Sequence, residues 1–231
     1  MILGSIINAI TIVTGSILGV FLSNGISERF NKIIFQALGL FSIFLGVSLA
    51  SETDNNFMIM SLAVIIGGLI GELLRIEERI EIISNKLKNK LNNSNPKFTE
   101  GLITSTMLFS IGSMAILGPL NEALKGDRTL VLTKSIMDGV SAIALASAFG
   151  RGVIYSAIPV LIIQGSIGLS SSFLEPVLSP ELISELTAVG GILIIGIGIS
   201  VLEIKKIKVI NLIPALLMII PLYYLNIFIG G

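Results

Sequence analysis

Apolar runs of about 20 residues, the length that crosses a bilayer as a helix, recur along this chain with short polar or Gly/Pro-containing links between them. They lie at residues 2–22, 33–50, 57–74, 101–120, 129–149, 153–169, 183–202 and 209–228. Hydrophobic residues make up 53% of the 231 positions, charged residues 13%, and mean hydropathy is +0.95. That is more apolar surface than one water-soluble core encloses. The pattern predicts an all-α integral membrane protein of about eight transmembrane helices, forming a single polytopic domain over residues 1–231. Runs two, three and six are short, so seven spans stay open as the alternative. The first run opens on Met1-Ile2-Leu3, with neither a basic segment nor a small-residue cleavage pattern, and reads as a retained span.

Loop charge supports the count of eight, because Lys and Arg accumulate in short cytoplasmic loops. Twelve of the fifteen basic residues fall in alternate links: Arg29 and Lys32 after span one, six from Arg75 to Lys97 after span three, Arg151 after span five, and Lys205, Lys206 and Lys208 after span seven. The other links hold only Lys125 and Arg128, and Lys134 lies within a span. The distribution predicts a multi-pass protein of the cytoplasmic (inner) membrane with both termini outside. Between spans three and four, Ile76, Ile80, Ile83, Leu87 and Leu91 recur at intervals of three and four among charged residues, predicting a cytoplasmic amphipathic helix at about 75–94. It either lies along the lipid surface or binds a partner or a second copy of the chain.

Span five carries the least expected residues. Lys134 and Asp138 sit i and i+4 on one helical face that Ser141 continues, with Asp138 about 13 Å into a helix that begins near Thr129. A charge at that depth costs at least about 2.5–3.5 kcal/mol, so it must face a partner, water or the bundle interior. One reading is an ion pair that only sets helix packing. The other is a pathway in which Asp138 exchanges a proton or cation while Lys134 stabilises or competes for its charge. Gln164 follows Pro159 in span six, and Asn8 and Thr14 lie in span one; each fits either a pathway or an interhelical hydrogen bond. Ser110 and Ser113 share a face of span four with Thr106 that could meet Lys134 and Asp138, whereas Glu122, at the end of that span, reads as a solvated loop end. The candidate pathway residues are therefore Asn8, Thr14, Ser110, Ser113, Lys134, Asp138, Ser141 and Gln164.

A weak internal repeat is visible. IVTGSI, from Ile12 to Ile17, aligns with IIQGSI, from Ile162 to Ile167, and QALG ending at Gly39 sits opposite TAVG ending at Gly190. Spans one and two then correspond to spans six and seven, inverted in the membrane, which is a building plan of secondary transporters. Chance similarity among Gly, Ser and Ile is the competing account.

Several classes are disfavoured. Zero formal charge and the lack of a basic, aromatic-rich cluster speak against nucleic acid. With neither Cys nor His, thiol chemistry, haem ligation by His and ordinary zinc sites are excluded, and no cofactor or metal is expected. An enzyme is not expected either: Ser135 beside Lys134 points about 100° away from it, and no second acid is found at the depth of Asp138.

The stretches SIGSMAILGPLNEALKGD, LTKSIMDGVSAIALASAFGRGV and SAIPVLIIQG, with the opening GSIINAITIVTGSILG, resemble the uncharacterised prokaryotic membrane family called domain of unknown function 554, the YqgA and YdfK group. The resemblance covers nearly the whole chain and implies a multi-span inner-membrane protein with a transport role of unspecified substrate. Lys134, Asp138 and Gln164 are carried over as polar residues typical of the family, without a task. Ser113 departs from a Pro expected in relatives, which weakens the expectation of a break in span four. The leading expectation is a small secondary transporter of a solute or ion, coupled to H⁺ or Na⁺. The alternative is a noncatalytic scaffold or regulatory subunit that uses the 75–94 helix, and homo-oligomerisation stays open.

Overall fold

The computed structural model describes residues 2–23, 28–53, 56–91 and 95–230. Among them every regular element is a helix: α1 (Leu3–Ser23), α2 (Glu28–Ala50), α3 (Phe57–Leu73), α4 (Ile76–Lys90), α5 (Phe98–Ser110), α6 (Ser113–Lys125) and α7 (Thr129–Phe149). There follow α8 (Gly152–Tyr155), α9 (Ala157–Leu169), α10 (Ser171–Leu174), α11 (Pro180–Val201), α12 (Val209–Leu212) and α13 (Ala215–Gly230). Among the described residues six helical segments are long and apolar enough to cross a membrane, or up to eight when each of two bent pairs counts as one span. This is an all-α membrane protein.

The breaks have identifiable causes. α5 and α6 meet at 59° across Ile111 and Gly112. Gly112 adopts φ 112°, ψ 152°, which a side chain disfavours, and Ile111 is extended, so the helical ladder stops in the middle of an apolar run. The break therefore forms with Ser113 in place, supplied by the glycine before it. Pro159 and Pro214 have no amide to offer the ladder; helix is interrupted at Ser156, one turn before Pro159, and at Ile213 and Pro214 itself. The second bent pair is α3 and α4, also at 59°. Arg75 closes α3 with φ 48°, and the amphipathic helix starts at Ile76. The predicted end of that helix, at about residue 94, lies outside the described residues.

The chain divides into two compact units, residues 1–35 with 85–178 and residues 36–84 with 179–231. In the first, α1 and α7 run parallel at very close approach: a Cβ on Gly15 would sit 2.1 Å from the Gly139 carbonyl oxygen, and one on Gly19 2.3 Å from that of Ile143. The glycines act here as close-packing positions of the G-x-x-x-G kind. In the second unit, α2 runs antiparallel to α11, with Gly39 against Gly198 and Gly46 against Gly191. α3 runs antiparallel to the α12–α13 segment, with Gly67 on Ala215 and Gly71 on Asn211. These directions are the ones an eight-span chain imposes, since spans one and five travel the same way while spans two and seven, or three and eight, travel oppositely.

Candidate functional site

The parallel contact of α1 with α7 positions the most polar part of the first unit. Along α1 the buried residues are Gly4, Ser5, Asn8, Ile12, Gly15, Ser16 and Gly19, one stripe at helical spacing. With its glycines against α7, that stripe presents Asn8 to Asp138. Lys134 lies one turn before Asp138 on α7, and Gln164 arrives from α9.

The four side chains form one connected group. Lys134 Nζ donates to Asp138 Oδ2 at 2.5 Å. Asn8 Nδ2 donates to the same carboxylate oxygen at 2.9 Å and to Gln164 Oε1 at 3.1 Å. Asn8 and Gln164 are 0% exposed, Lys134 and Asp138 6%. The opposite charges offset part of each other's burial, and Asn8 adds a second donor to the carboxylate. Two polar atoms are nevertheless left over: Asn8 Oδ1 and Gln164 Nε2 are occluded and have no hydrogen-bond partner. Each such orphan costs about 1–3 kcal/mol. A group whose only task was to hold helices together would gain by pairing them.

The other candidates lie apart from this group. Thr14 is exposed and spends its hydroxyl on the carbonyls of Ile10 and Thr11 in its own helix. Ser110 ends α5 with an occluded hydroxyl that has no partner, and Ser113 begins α6 beyond the break. Ser141 is half-buried on α7. Thr106, expected on the same face as the two serines, bonds the Leu102 carbonyl. Among the described residues no hydrogen bond joins any of these to the four central side chains.

Two buried acids escaped sequence reasoning. Glu122 is not a solvated loop end: it is 3% exposed, accepts from the Gly4 backbone N–H at 2.9 Å and pairs with Arg128 Nε at 2.9 Å. A carboxylate there meets the orphan amides and positive dipole end of α1. In the second unit Glu185 is fully buried on α11, where both carboxylate oxygens accept from Thr53 Oγ1 at 2.9 Å and Oε1 also accepts from Asn56 Nδ2 at 3.0 Å. The local signal for Glu185 was an acid just inside the start of the apolar run at 183–202. A third polar group, also in the second unit, holds the amphipathic helix. Asn211 accepts from the Glu77 backbone N–H at 2.8 Å and donates to Glu72 at 2.7 Å, and Lys208 donates to the other Glu72 oxygen at 2.7 Å. Burial pushes the Glu77 carboxyl above its ordinary range, against the pull of Lys206. Among the described residues no cluster of three or more acidic side chains could hold a metal ion.

Comparison with known proteins follows the same outline. The chain is similar to the uncharacterized membrane protein YdfK of Bacillus subtilis (strain 168), 42% identical, over 93% of this chain and 92% of the relative. It is also similar to the uncharacterized protein YqgA of Escherichia coli (strain K12), 31% identical, over 96% of each. No solved structure matches it. Residues 3–224, which include α1, α7 and α9 with all four clustered side chains, match one family, and the chain accordingly belongs to DUF554, described as a protein of unknown function.

Proposed function

We propose that this membrane protein is a small noncatalytic secondary carrier of a solute or ion, coupled to H⁺ or Na⁺, with its site in the first unit at Asn8, Lys134, Asp138 and Gln164. The observation that carries this reading is the pair of orphaned polar atoms in a buried group that joins three helices. A packing device has no use for them, whereas a binding site keeps them for a ligand. The break at Gly112 in the same unit adds support, since discontinuous helices are common where carriers bind their cargo. So does the weak repeat between spans one and six, because Asn8 of the first copy meets Gln164 of the second.

In this reading Asp138 is the ion-sensitive group and Lys134 its internal competitor. Purified protein in proteoliposomes, screened against radiolabelled small solutes under imposed pH or Na⁺ gradients, shows gradient-dependent uptake. Asp138→Asn removes that dependence at least tenfold while the protein stays folded by thermal unfolding. Uptake by Asp138→Asn with unchanged ion dependence would overturn the coupling role.

A second reading, a scaffold or regulatory subunit, draws support from α4. Ile82 and Ile83 are exposed there, while the first turn of the helix is tied to Asn211. Deletion of residues 76–90 abolishes the cellular phenotype under that reading and leaves measurable uptake under the carrier reading.

A further inference from the structure

The orphaned atoms specify more than a site. Asp138 dictates how both amides are oriented. An ionised carboxylate can only accept, so Asn8 must present Nδ2 to Asp138 Oδ2, and its second N–H then goes to Gln164 Oε1. Turning either amide over would set oxygen against oxygen at Asp138 or N–H against N–H at Gln164. The group is left with one unused acceptor, Asn8 Oδ1, and one unused donor, Gln164 Nε2, at the far ends of a single amide–amide contact. The next residue on α9, Gly165, is buried, yet a Cβ built on it meets nothing within 4 Å outside its chain neighbours, so the helix leaves room there. Charge is already balanced, because Lys134 and Asp138 neutralise each other. A charged ligand would enter uncompensated, and a neutral one would not.

We infer that the Asn8–Gln164 amide pair, with the open space beside Gly165, binds a small uncharged solute that carries a carbonyl oxygen and an N–H or O–H on the same carbon, as in a primary carboxamide or a protonated carboxylic acid. The carbonyl accepts from Gln164 Nε2 and the N–H or O–H donates to Asn8 Oδ1. The inference rests on the carrier reading only for its claim that the site is reached from water. Because it concerns equilibrium binding, it can stand or fall by itself.

The experiment uses the full chain in lipid nanodiscs and equilibrium dialysis with radiolabelled acetamide, N,N-dimethylacetamide, and acetate at pH 5 and pH 8. Acetamide binds saturably at one site per chain. Dimethylacetamide, which has no N–H, binds at least tenfold more weakly, and acetate binds at pH 5 at least tenfold better than at pH 8, where almost none is protonated. Two variants localise the site. Gly165→Ala places a methyl group in the open space and clashes with nothing, so thermal stability is unchanged while acetamide binding falls at least tenfold. Gln164→Met removes the donor without adding a charge and has the same effect on binding.

Equal binding of acetamide and dimethylacetamide, undiminished binding by a folded Gly165→Ala protein, or no saturable binding of any probe, as expected of a pocket that holds water only, each overturns the inference. Binding of acetamide without uptake leaves the inference standing and removes the carrier reading. Ion-coupled uptake of a charged solute that Gly165→Ala and Gln164→Met leave intact does the opposite.

Discussion

Lys134 and Asp138 are each tolerable only in the presence of the other. Both are 6% exposed, and removing one partner leaves an uncompensated charge in a medium that solvates it poorly. Lys134→Ala is expected to cost about 3–5 kcal/mol of stability, whereas the double variant Lys134→Met/Asp138→Leu, of similar volume and no charge, recovers most of that loss. Thermal unfolding of the double variant and of the single variants Lys134→Met and Asp138→Leu in the same nanodiscs closes a double-mutant cycle; additive losses would mean the groups are not coupled in the folded protein. The i, i+4 spacing made this pair legible in the sequence, because one helix carries both residues. Asn8 was visible as a polar residue in an apolar run, but its meeting with Asp138 depends on the glycines that bring α1 onto α7. Glu122 was misread for a related reason. Whether a carboxylate at a helix end is solvated depends on what docks there, and here it is the first amides of α1 together with Arg128.

Helix boundaries were easier to read than helix interruptions. Span five begins and ends where its polar flanks place it, at Thr129 and Phe149, and the amphipathic helix begins within a residue of the expected position. Breaks inside apolar runs are less visible, because hydropathy is indifferent to backbone angle. The break in span four was expected to depend on a proline at 113, yet Gly112 supplies it through a positive φ. A matched pair of substitutions isolates that effect. At both Gly112 and Gly165 a Cβ meets nothing within 4 Å, but only Gly112 has a positive φ, at 112°. Gly112→Ala is expected to lose about 1–3 kcal/mol from backbone strain alone. Gly165→Ala, in an ordinary helical conformation, stays within about 0.5 kcal/mol of the parent. Calorimetric unfolding of both proteins decides the point: equal losses would show that the angle at Gly112 carries no special cost.

At the scale of the whole chain, the glycine contacts of the second unit bear on the inverted repeat expected from the sequence. Span two packs antiparallel on span seven through Gly39–Gly198 and Gly46–Gly191, so each helix offers its own early glycine to the late glycine of the other. Span three packs antiparallel on span eight through Gly67 and Gly71. A local two-fold axis in the membrane plane would produce such reciprocity, and it requires that the two copies enter the membrane from opposite sides. That requirement depends on span six, the short run interrupted at Ser156 and framed by Arg151 and Glu175. Since the chain contains no cysteine, a single introduced thiol reports its own location without interference. The four exposed link positions Lys125, Arg151, Glu175 and Lys205 are each replaced by Cys in turn and exposed in intact cells to a maleimide that cannot cross membranes. The distribution of Lys and Arg predicts that Lys125→Cys and Glu175→Cys react at once, and that Arg151→Cys and Lys205→Cys react only after permeabilisation. If Arg151→Cys and Glu175→Cys label from the same side, span six does not cross, the chain has seven spans, and the inverted relation between its halves is lost together with the support it lends to a carrier.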